Sequence, residues 1–256
     1  MPPAERTLRA EVIVVRHSDW GEADRLLVLF SREAGKLRAV AKGARKLRSR
    51  KAGHLEPFTR VKLLLARGRD FWIVTQAETV DAYLPIREDL VRTAYAAYVI
   101  ELLDRFTYEE GENRPLFQLL VDTMERVAAL EDAFPAVRYY EIRLLDLLGF
   151  RPELNFCTRC RSEIIAEDQF FDFQYGGVIC PRCAPEVPTA RPISLKALRF
   201  LRHYQRSTFR EASRLEVSAA QRAEVETLLN QYITYLLERR LNTPSFLQEV
   251  RRDLPE

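Results

Sequence analysis

The chain has 256 residues, of which 47% are apolar and 30% charged, and its formal net charge is +3. This length exceeds the usual size of one small domain and allows a sizeable core, so we expect two domains. No stretch approaches the roughly 20 uncharged apolar residues of a membrane span, and the opening MPPAERTLRA lacks the apolar run of a signal peptide. The composition argues against membrane-spanning and secreted classes and predicts a soluble cytoplasmic protein with no membrane partner.

The small net charge hides two regions of opposite sign. Residues 1–80 carry 17 Lys and Arg against 9 Asp and Glu, a net charge of +8. Residues 81–256 carry 23 against 28, a net charge of −5. This asymmetry indicates that the first region binds a polyanion while the second region has another role.

Apolar residues in the first region alternate with a period of about two, which is typical of β-strands. Turns that contain Gly35 and Gly68 join the second strand to the third and the fourth to the fifth. Five strands in about 75 residues favour an OB-type barrel over a sandwich, which needs about seven strands. The expected strands are Leu8–Arg16, Arg25–Ser31, Lys36–Lys42, Phe58–Ala66 and Phe71–Tyr83.

The third expected strand is basic on one face. Alternation places its cations on that face and Leu37, Ala39 and Ala41 on the core face. The strand runs into a basic loop, so residues 36–51 contain eight basic side chains and no acidic one. Such a track suits a phosphodiester backbone, although a solvated, flexible loop is the alternative. The predicted DNA-binding residues are Lys36, Arg38, Lys42, Arg45, Lys46, Arg48, Arg50 and Lys51.

Bases bound to this track would stack on nearby aromatic side chains. The candidates are Trp20, Phe58, Phe71 and Trp72. Neighbours on a strand point to opposite sides, so at least one of Phe71 and Trp72 faces the core. Core packing is the commoner role of any single aromatic residue.

Beyond Pro85 the apolar spacing changes to that of α-helices. The last expected helix opens with Ser218-Ala-Ala-Gln221, the pattern of a capping box. Apolar stripes at helical spacing indicate a bundle core and locate no partner groove. The first expected helix carries the apolar stripe Val91–Phe106, and the second begins near Asn113-Arg114-Pro115. The third runs over Ala133–Leu148 and ends at Gly149. The last two span Ile193–Phe209 and Ser218–Arg240.

Four cysteines form two close pairs, Cys157-Thr-Arg-Cys160 and Cys180-Pro-Arg-Cys183, with 19 residues between them. This spacing is typical of four-cysteine zinc sites, and a reducing cytoplasm disfavours disulfides. Four thiolates fill the tetrahedral shell of zinc, so the site would be structural rather than catalytic. We predict one structural Zn²⁺, with four free or oxidised thiols as the alternative, and a short strand at Phe170–Phe173 that packs over the site.

Signatures of common enzymes are absent from the sequence, including G-x-S-x-G, the Walker loop, H-E-x-x-H and G-x-G-x-x-G. The three histidines, His17, His54 and His203, share no motif. Asp168 and Asp172 could hold magnesium in a nuclease, which is a weakly supported alternative. The sequence therefore predicts a protein that is not an enzyme.

Several segments resemble the bacterial recombination mediator family RecO. They are Glu11–Arg16 (EVIVVR) followed by Gly21–Asp24 (GEAD), Val40–Lys46 (VAKGARK), and Glu141–Pro152 (EIRLLDLLGFRP), which leads into the first cysteine pair. The resemblance spans nearly the whole chain, and this sequence has all four cysteines where many family members lack some.

The resemblance implies a role in DNA repair and recombination. RecO-like proteins bind single- and double-stranded DNA, anneal complementary strands and turn over no substrate. They help load the recombinase onto DNA coated by single-strand-binding protein, and they work with RecR and often RecF. The resemblance further implies a location at the nucleoid and a pocket for the C-terminal tail of single-strand-binding protein on the helical domain, for which no short motif identifies residues here. A zinc-ribbon RNA-binding factor remains the rival, because such barrels also bind RNA.

The expected architecture is an α+β multidomain protein. A five-stranded OB-type β-barrel occupies residues 1–82, and an α-helical bundle occupies residues 83–152 and 190–256. A four-cysteine zinc module, residues 153–189, is inserted in the helical domain.

Overall fold

The computed structural model describes residues 7–108 and 111–252. The chain forms two compact units. The first contains the described residues up to Glu131 together with those from Ser245 onward, and the second runs from Asp132 to Pro244.

The strands and helices follow the expected order along the chain. The strands are β1 (Thr7–Trp20), β2 (Asp24–Ser31), β3 (Gly35–Ala41), β4 (Arg60–Arg67), β5 (Trp72–Asp81), β6 (Gln169–Asp172), β7 (Gly177–Ile179) and β8 (Arg191–Ile193). The α-helices are α1 (Leu84–Glu88), α2 (Leu90–Phe106), α3 (Arg114–Ala129), α4 (Phe134–Leu147), α5 (Leu195–Arg206), α6 (Phe209–Ala212), α7 (Ala219–Leu237) and α8 (Thr243–Arg252).

Strands β1 to β5 close into a barrel in the order β1-β2-β3-β5-β4. The first half of β1 pairs with β4 and its second half pairs with β2, so this long strand has a partner on each side. An irregularity between Val14 and Arg16 lets the strand bend as it passes from one partner to the other. The arrangement confirms the predicted five-stranded OB-type barrel.

The barrel core follows the alternation read from the sequence. Leu37, Ala39 and Ala41 of β3 point into it, whereas Arg38 is exposed. The small alanines suit the interior of a narrow barrel, where side chains from every strand meet. The buried cluster also contains Val12, Val14, Leu27, Leu29, Leu55, Val61, Leu63, Leu65 and Val74.

Helices α1 to α3 belong to the same compact unit as the barrel. Phe117 of α3 stacks on Phe30 of β2, with ring centroids 6.4 Å apart. Asp89 caps α2 by accepting a hydrogen bond from the N–H of Arg92, and Asn113 caps α3 in the same way from Leu116. The helices predicted around Val91–Phe106 and after Asn113 therefore begin where the sequence indicated.

The carboxyl end of α2 is bonded to the barrel through one lysine. The Lys36 ammonium donates to the backbone oxygens of Asp104 at 2.8 Å and Thr107 at 3.2 Å. It also lies 2.5 Å from the Asp104 carboxylate, and its side chain is only 15% exposed. A cation at this place satisfies carbonyl groups that the last turn of a helix leaves unpaired.

The second unit contains α4 to α7 and the cysteine segment. Its helices bury an ion pair between Arg138 and Glu141, 3.0 Å apart, with exposed fractions of 1% and 0%. The ring of Phe134 receives the guanidinium groups of Arg138 and Arg222 at 5.4 and 4.8 Å from its centroid. The core of this unit therefore contains a buried ion pair as well as apolar side chains.

Ser218 caps α7 by accepting from the N–H of Gln221, as the sequence indicated. The side chain of Gln221 donates to the carbonyl of Lys196 instead of completing the capping box. The helices predicted as one bundle are divided between the two units, and the domain boundaries 1–82, 83–152 with 190–256, and 153–189 stay a prediction.

Replacing Lys36 with Met keeps the aliphatic stem and removes the ammonium. We expect the free energy of unfolding to fall by about 1.5–3 kcal/mol, because a charged hydrogen-bond donor is lost and the Asp104 carboxylate keeps only its 3.4 Å ion pair with Arg16. Urea denaturation followed by circular dichroism measures the change. Lys62→Met is the matched control, since Lys62 is an exposed cation on β4, and it should change stability by less than about 0.5 kcal/mol.

Candidate nucleic-acid surface and metal centre

The four cysteines converge at one point in the second unit. Their Sγ atoms all lie within 4.8 Å of one another, and the Cys160 and Cys180 sulfurs are 3.8 Å apart. Sulfur ligands about 2.3 Å from a central zinc sit about 3.8 Å apart at the corners of a tetrahedron. The donor set and its spacing therefore fit a tetrahedral metal ion.

Two tight turns aim the cysteine side chains. In the first, Arg161 donates its N–H to the carbonyl of Cys157 and adopts a left-handed conformation with φ 62°. In the second, Cys183 and Ala184 both donate to the carbonyl of Cys180. Each turn brings the two thiols of its C-x2-C pair to the same side of the backbone.

Hydrogen bonds favour the thiolate form at two of the four cysteines, Cys157 and Cys160. Burial acts to raise the pKa of Cys157, but the N–H groups of Cys160 and Cys180 outweigh it and lower that pKa. The hydroxyl and N–H of Ser162 lower the pKa of Cys160 to about 6, whereas desolvation and the neighbouring thiols raise the pKa of Cys183 to about 12. A bound divalent cation would supply the positive charge that lets all four sulfurs ionise together.

The strand before the second cysteine pair requires a glycine. A Cβ on Gly177 would lie 2.4 Å from the carbonyl oxygen of Glu153, which is too close for any side chain. This close approach pairs the segment before Cys157 with the strand that leads into Cys180. Gly177 therefore sets the spacing between the two halves of the site.

The predicted strand at Phe170–Phe173 is present as β6. Its buried Phe171 contacts Tyr232 of α7, with ring centroids 5.4 Å apart. Phe173 stacks on the same tyrosine at 6.2 Å. The strand thus joins the cysteine segment to α7, and its packing over the metal site stays a prediction.

The carboxylates considered for a nuclease have structural roles. Asp168 accepts a hydrogen bond from the N–H of Leu195, at the start of α5. Asp172 accepts from the N–H of Tyr175 and the hydroxyl of Thr189. In the part of the chain that the structure describes, the cysteine cluster is the only group of three or more Cys, His, Asp or Glu side chains placed to share a metal.

The predicted DNA-binding residues lie on β3 and on the loop that follows it, in the first unit. Lys36 and Lys51 are partly buried. The other six cations, Arg38, Lys42, Arg45, Lys46, Arg48 and Arg50, are exposed. The structure therefore exposes six of the eight predicted cations to solvent.

Lys36, Arg45 and Lys51 bond to groups within the protein. Lys36 closes the end of α2, as described above. Arg45 forms an ion pair of 3.0 Å with Asp19 and donates to the carbonyl of Glu22, which fixes the loop to the β1–β2 turn. Lys51 donates to the carbonyl of Val74 on β5. Among the described residues, Lys42, Lys46, Arg48 and Arg50 have no such partner, so their charge is available to a ligand.

The basic loop is held at both ends. At its start, Gly43 donates to the Asp24 carboxylate at 2.7 Å and Ala44 is buried in the barrel core. After its end, Glu56 accepts from Arg25 at 2.7 Å and contacts His17 at 3.2 Å. Burial acts to raise the pKa of Glu56, but these two partners outweigh it and lower that pKa. The loop is thus a fixed projection of the barrel.

A small pocket opens beside the exposed face of β3. It has a volume of about 180 Å³ and is lined by Arg38, the β4–β5 loop and Trp72. Within it the guanidinium of Arg67 lies 5.1 Å from the centre of the Trp72 ring. Phe71 lies at its edge and meets Trp20 edge-to-face at 5.7 Å. Cations next to partly exposed aromatic rings form the kind of surface on which unstacked bases bind.

The sequence analysis missed Arg67 and Arg69 as part of this surface. The sequence could have indicated both arginines, because they belong to the charged turn that immediately precedes Phe71 and Trp72. What joins them to the basic strand is the parallel pairing of Ala39 with Trp72 and Val40 with Ile73. Phe58, another aromatic candidate, lies before β4 with φ 73° and donates its N–H to Val14.

Comparison with known proteins matches the N-terminal and C-terminal parts of the chain to the same family. A family model described as Recombination protein O N terminal matches residues 6–83, and one described as Recombination protein O C terminal matches residues 87–244. The chain belongs to the RecO family. The barrel is the N-terminal RecO domain, and the cysteine cluster lies within the C-terminal RecO match.

Curated relatives match this chain over most of their own length. The DNA repair protein RecO of Roseiflexus sp. (strain RS-1) is 42% identical over 250 residues, which are 98% of this chain and 88% of the relative. The protein of the same name from Dehalococcoides mccartyi is 35% identical over 244 residues, 95% of this chain and 96% of the relative. That of Symbiobacterium thermophilum is 36% identical over 242 residues, 93% of this chain and 96% of the relative.

No helix among residues 7–108 and 111–252 of this RecO chain is both long and apolar enough to cross a bilayer.

Replacing Cys180 with Ser tests the metal centre. We expect the zinc content to fall from one ion per chain to near zero, because a hydroxyl is a poor substitute for a thiolate ligand. The thermal midpoint of unfolding should fall with it. Inductively coupled plasma mass spectrometry and differential scanning calorimetry measure the two changes.

Ser162→Ala is the matched control for this substitution. It removes the hydroxyl beside Cys160, 3.3 Å from the sulfur, but leaves all four ligands. The control should keep its zinc. Its affinity for zinc should fall by no more than about 10-fold, as expected for a residue that supports a ligand. A Cys180→Ser chain that keeps a full complement of zinc would contradict the assignment.

Proposed function

We propose that this RecO protein is a DNA-binding recombination mediator in DNA repair. It binds single- and double-stranded DNA, anneals complementary strands and helps load the recombinase onto DNA coated by single-strand-binding protein. It acts with RecR and often RecF at the nucleoid, in the cytoplasm. Support comes from two RecO family matches that together span residues 6–244, with a short gap, and from relatives that carry the name DNA repair protein.

The observation that carries the proposal is the exposed cation cluster on the loop after β3. Lys42, Lys46, Arg48 and Arg50 are exposed, and the loop is fixed to the barrel by Ala44 and Glu56. Cations on a fixed loop lose little conformational freedom when they bind phosphates, and each one releases counterions from the DNA. The proposed contact set consists of these four residues and Arg38, with Lys36, Arg45 and Lys51 as supports of the surface.

The pocket beside β3 supports binding of unpaired strands. A single strand exposes base faces that a duplex keeps stacked, and the rings of Phe71 and Trp72 can receive them. The guanidinium groups of Arg67 and Arg69 lie on the same loop, close enough to hold the adjoining phosphates. The basic loop and the pocket together give one surface for both forms of DNA.

Annealing on this surface needs no catalytic group. Two complementary strands repel each other through their phosphates, and a cluster of fixed cations lowers that repulsion while the bases pair. We propose that the protein acts in this way without chemical turnover. Single-strand-binding protein, through its C-terminal tail, and RecR would bring the protein to coated DNA.

The cysteine cluster is proposed to hold one structural Zn²⁺. Four sulfur ligands leave no coordination position for water or substrate, so the ion stabilises the fold of its segment and takes no part in a reaction. Two of the four proposed ligands, Cys157 and Cys180, are buried, which suits a scaffold role.

An annealing assay tests the proposal. Fluorescence quenching follows complementary oligonucleotides that are coated with single-strand-binding protein, across a salt series. We compare the wild type with a variant in which Lys42, Lys46, Arg48 and Arg50 are changed to Ala. We expect at least about a tenfold loss of rate, and a plot of log affinity against log salt that is shallower by about 3, since about 0.7 counterions are released per phosphate of a single strand.

The matched control removes the same charge elsewhere. In this control, four exposed cations away from the basic loop are changed to Ala: Arg9, Lys62, Lys196 and Arg199. This control should anneal like the wild type. Equal loss in both variants would mean that net charge alone drives binding. If the wild type fails to anneal, or binds a matched RNA more tightly than DNA, the mediator proposal is wrong and an RNA-binding factor becomes the better reading.

A second prediction concerns the pocket. Phe71→Ala should weaken single-strand binding by about 1–3 kcal/mol, the usual value of one base stacked on an aromatic ring. Duplex binding should change by less than about twofold, because stacked base pairs do not enter the pocket. Fluorescence anisotropy with matched single- and double-stranded oligonucleotides measures both affinities. Phe71→Tyr keeps the ring and should bind like the wild type; a loss of the same size for both forms of DNA would argue against stacking.

A further inference from the structure

One apolar side chain projects from the centre of the cation cluster. Leu47 has an exposed fraction of 107%, the highest among the exposed large apolar residues that the structure describes. It lies between Lys46 and Arg48, which are both exposed. An exposed leucine is ordinary on a protein surface, but this one is surrounded in sequence by the cations proposed to bind phosphates.

The backbone holds Leu47 on a defined turn. The N–H of Lys46 donates to the carbonyl of Gly43 at 3.2 Å, and the N–H of Ser49 donates to the carbonyl of Lys46 at 2.8 Å. Just before this turn, Ala44 is 1% exposed in the barrel core and Arg45 is bonded to the β1–β2 turn. The leucine therefore stands on a supported projection, so inserting it into a ligand would cost little ordering of the chain.

We propose that Leu47 is a wedge that inserts between adjacent base pairs of duplex DNA while the flanking cations hold the phosphates. This inference rests on the proposed DNA-binding function and adds to it the deformation of the duplex. An aliphatic side chain gains by leaving water for the apolar faces of the bases, and cations on both sides offset the repulsion between phosphates drawn together by a kink. The same insertion separates neighbouring pairs and bends the duplex.

The wedge predicts which duplexes bind best. Pyrimidine–purine steps such as TA unstack easily, whereas A-tracts are stiff. The protein should therefore favour a duplex with a central TA step over an A-tract of equal length and charge. Phosphate contacts alone would not distinguish the two.

The experiment uses the whole 256-residue chain and a 30-base-pair duplex with a central TA step. Energy transfer between dyes at the two ends reports bending, and 2-aminopurine beside the step reports unstacking. We expect the wild type to raise energy transfer and 2-aminopurine fluorescence together. Leu47→Ala should lose both signals and bind the TA duplex about tenfold more weakly, with an unchanged salt dependence, because an apolar contact releases no counterions.

Two further variants complete the test. Leu47→Phe provides a larger apolar wedge and should keep both signals. Ile165→Ala removes an aliphatic side chain that is 63% exposed in the second unit, and it should behave like the wild type. Equal bending and unstacking by the wild type and Leu47→Ala would overturn the wedge.

The outcome separates the wedge from the proposed function. A wild type that binds the duplex with strong salt dependence but neither bends nor unstacks it keeps its DNA-binding role and loses the wedge. A wild type that does not bind the duplex at all overturns both proposals.

Discussion

The short parallel pairing of β3 with β5 is the contact on which the candidate DNA surface depends. It joins Ala39 to Trp72 and Val40 to Ile73, and it closes a barrel whose other neighbouring strands are antiparallel. Parallel strands cannot be joined by a tight turn, so the chain must leave the barrel after β3 and return through β4. The excursion is the basic loop, and the return sets the β4–β5 turn beside Arg38. Barrel closure thus creates both halves of the surface.

Local patterns were enough to predict most of the secondary structure and the convergence of the four cysteines. Alternation along β3 correctly divided Leu37 and Ala39 from Arg38, and the cysteine spacing predicted a cluster that the structure brings together. Side-chain partners far apart in sequence could not be predicted in this way. Lys36 reads as one more cation of the track, yet its partner Asp104 is 68 residues away. The pocket depends on β3 and β5 being neighbours, and strand alternation does not indicate which strands become neighbours.

The second unit connects its cysteine segment to its helices through one tyrosine. The Tyr232 hydroxyl donates to the carbonyl of Phe150 at 3.0 Å, and the ring contacts Phe171 of β6. Burial raises the pKa of Tyr232 to about 12, so it remains a neutral donor at physiological pH. A metal ion would fix the two cysteine turns to each other, whereas Tyr232 fixes β6 and the end of α4 to α7. The metal site and Tyr232 would therefore stabilise different contacts within the second unit.

The bond between Lys36 and the end of α2 also bears on how the family could evolve. Sequence similarity divides the chain near residue 83, as though the barrel were an independent module. A barrel transferred alone to another protein would carry a mostly buried ammonium without its carbonyl partners and an unstacked Phe30. Such a fragment would be less stable after transfer to another gene, because these partners lie in the helices that follow the barrel. For this chain, a gene transfer that keeps the barrel stable would have to carry helices α1 to α3 with it.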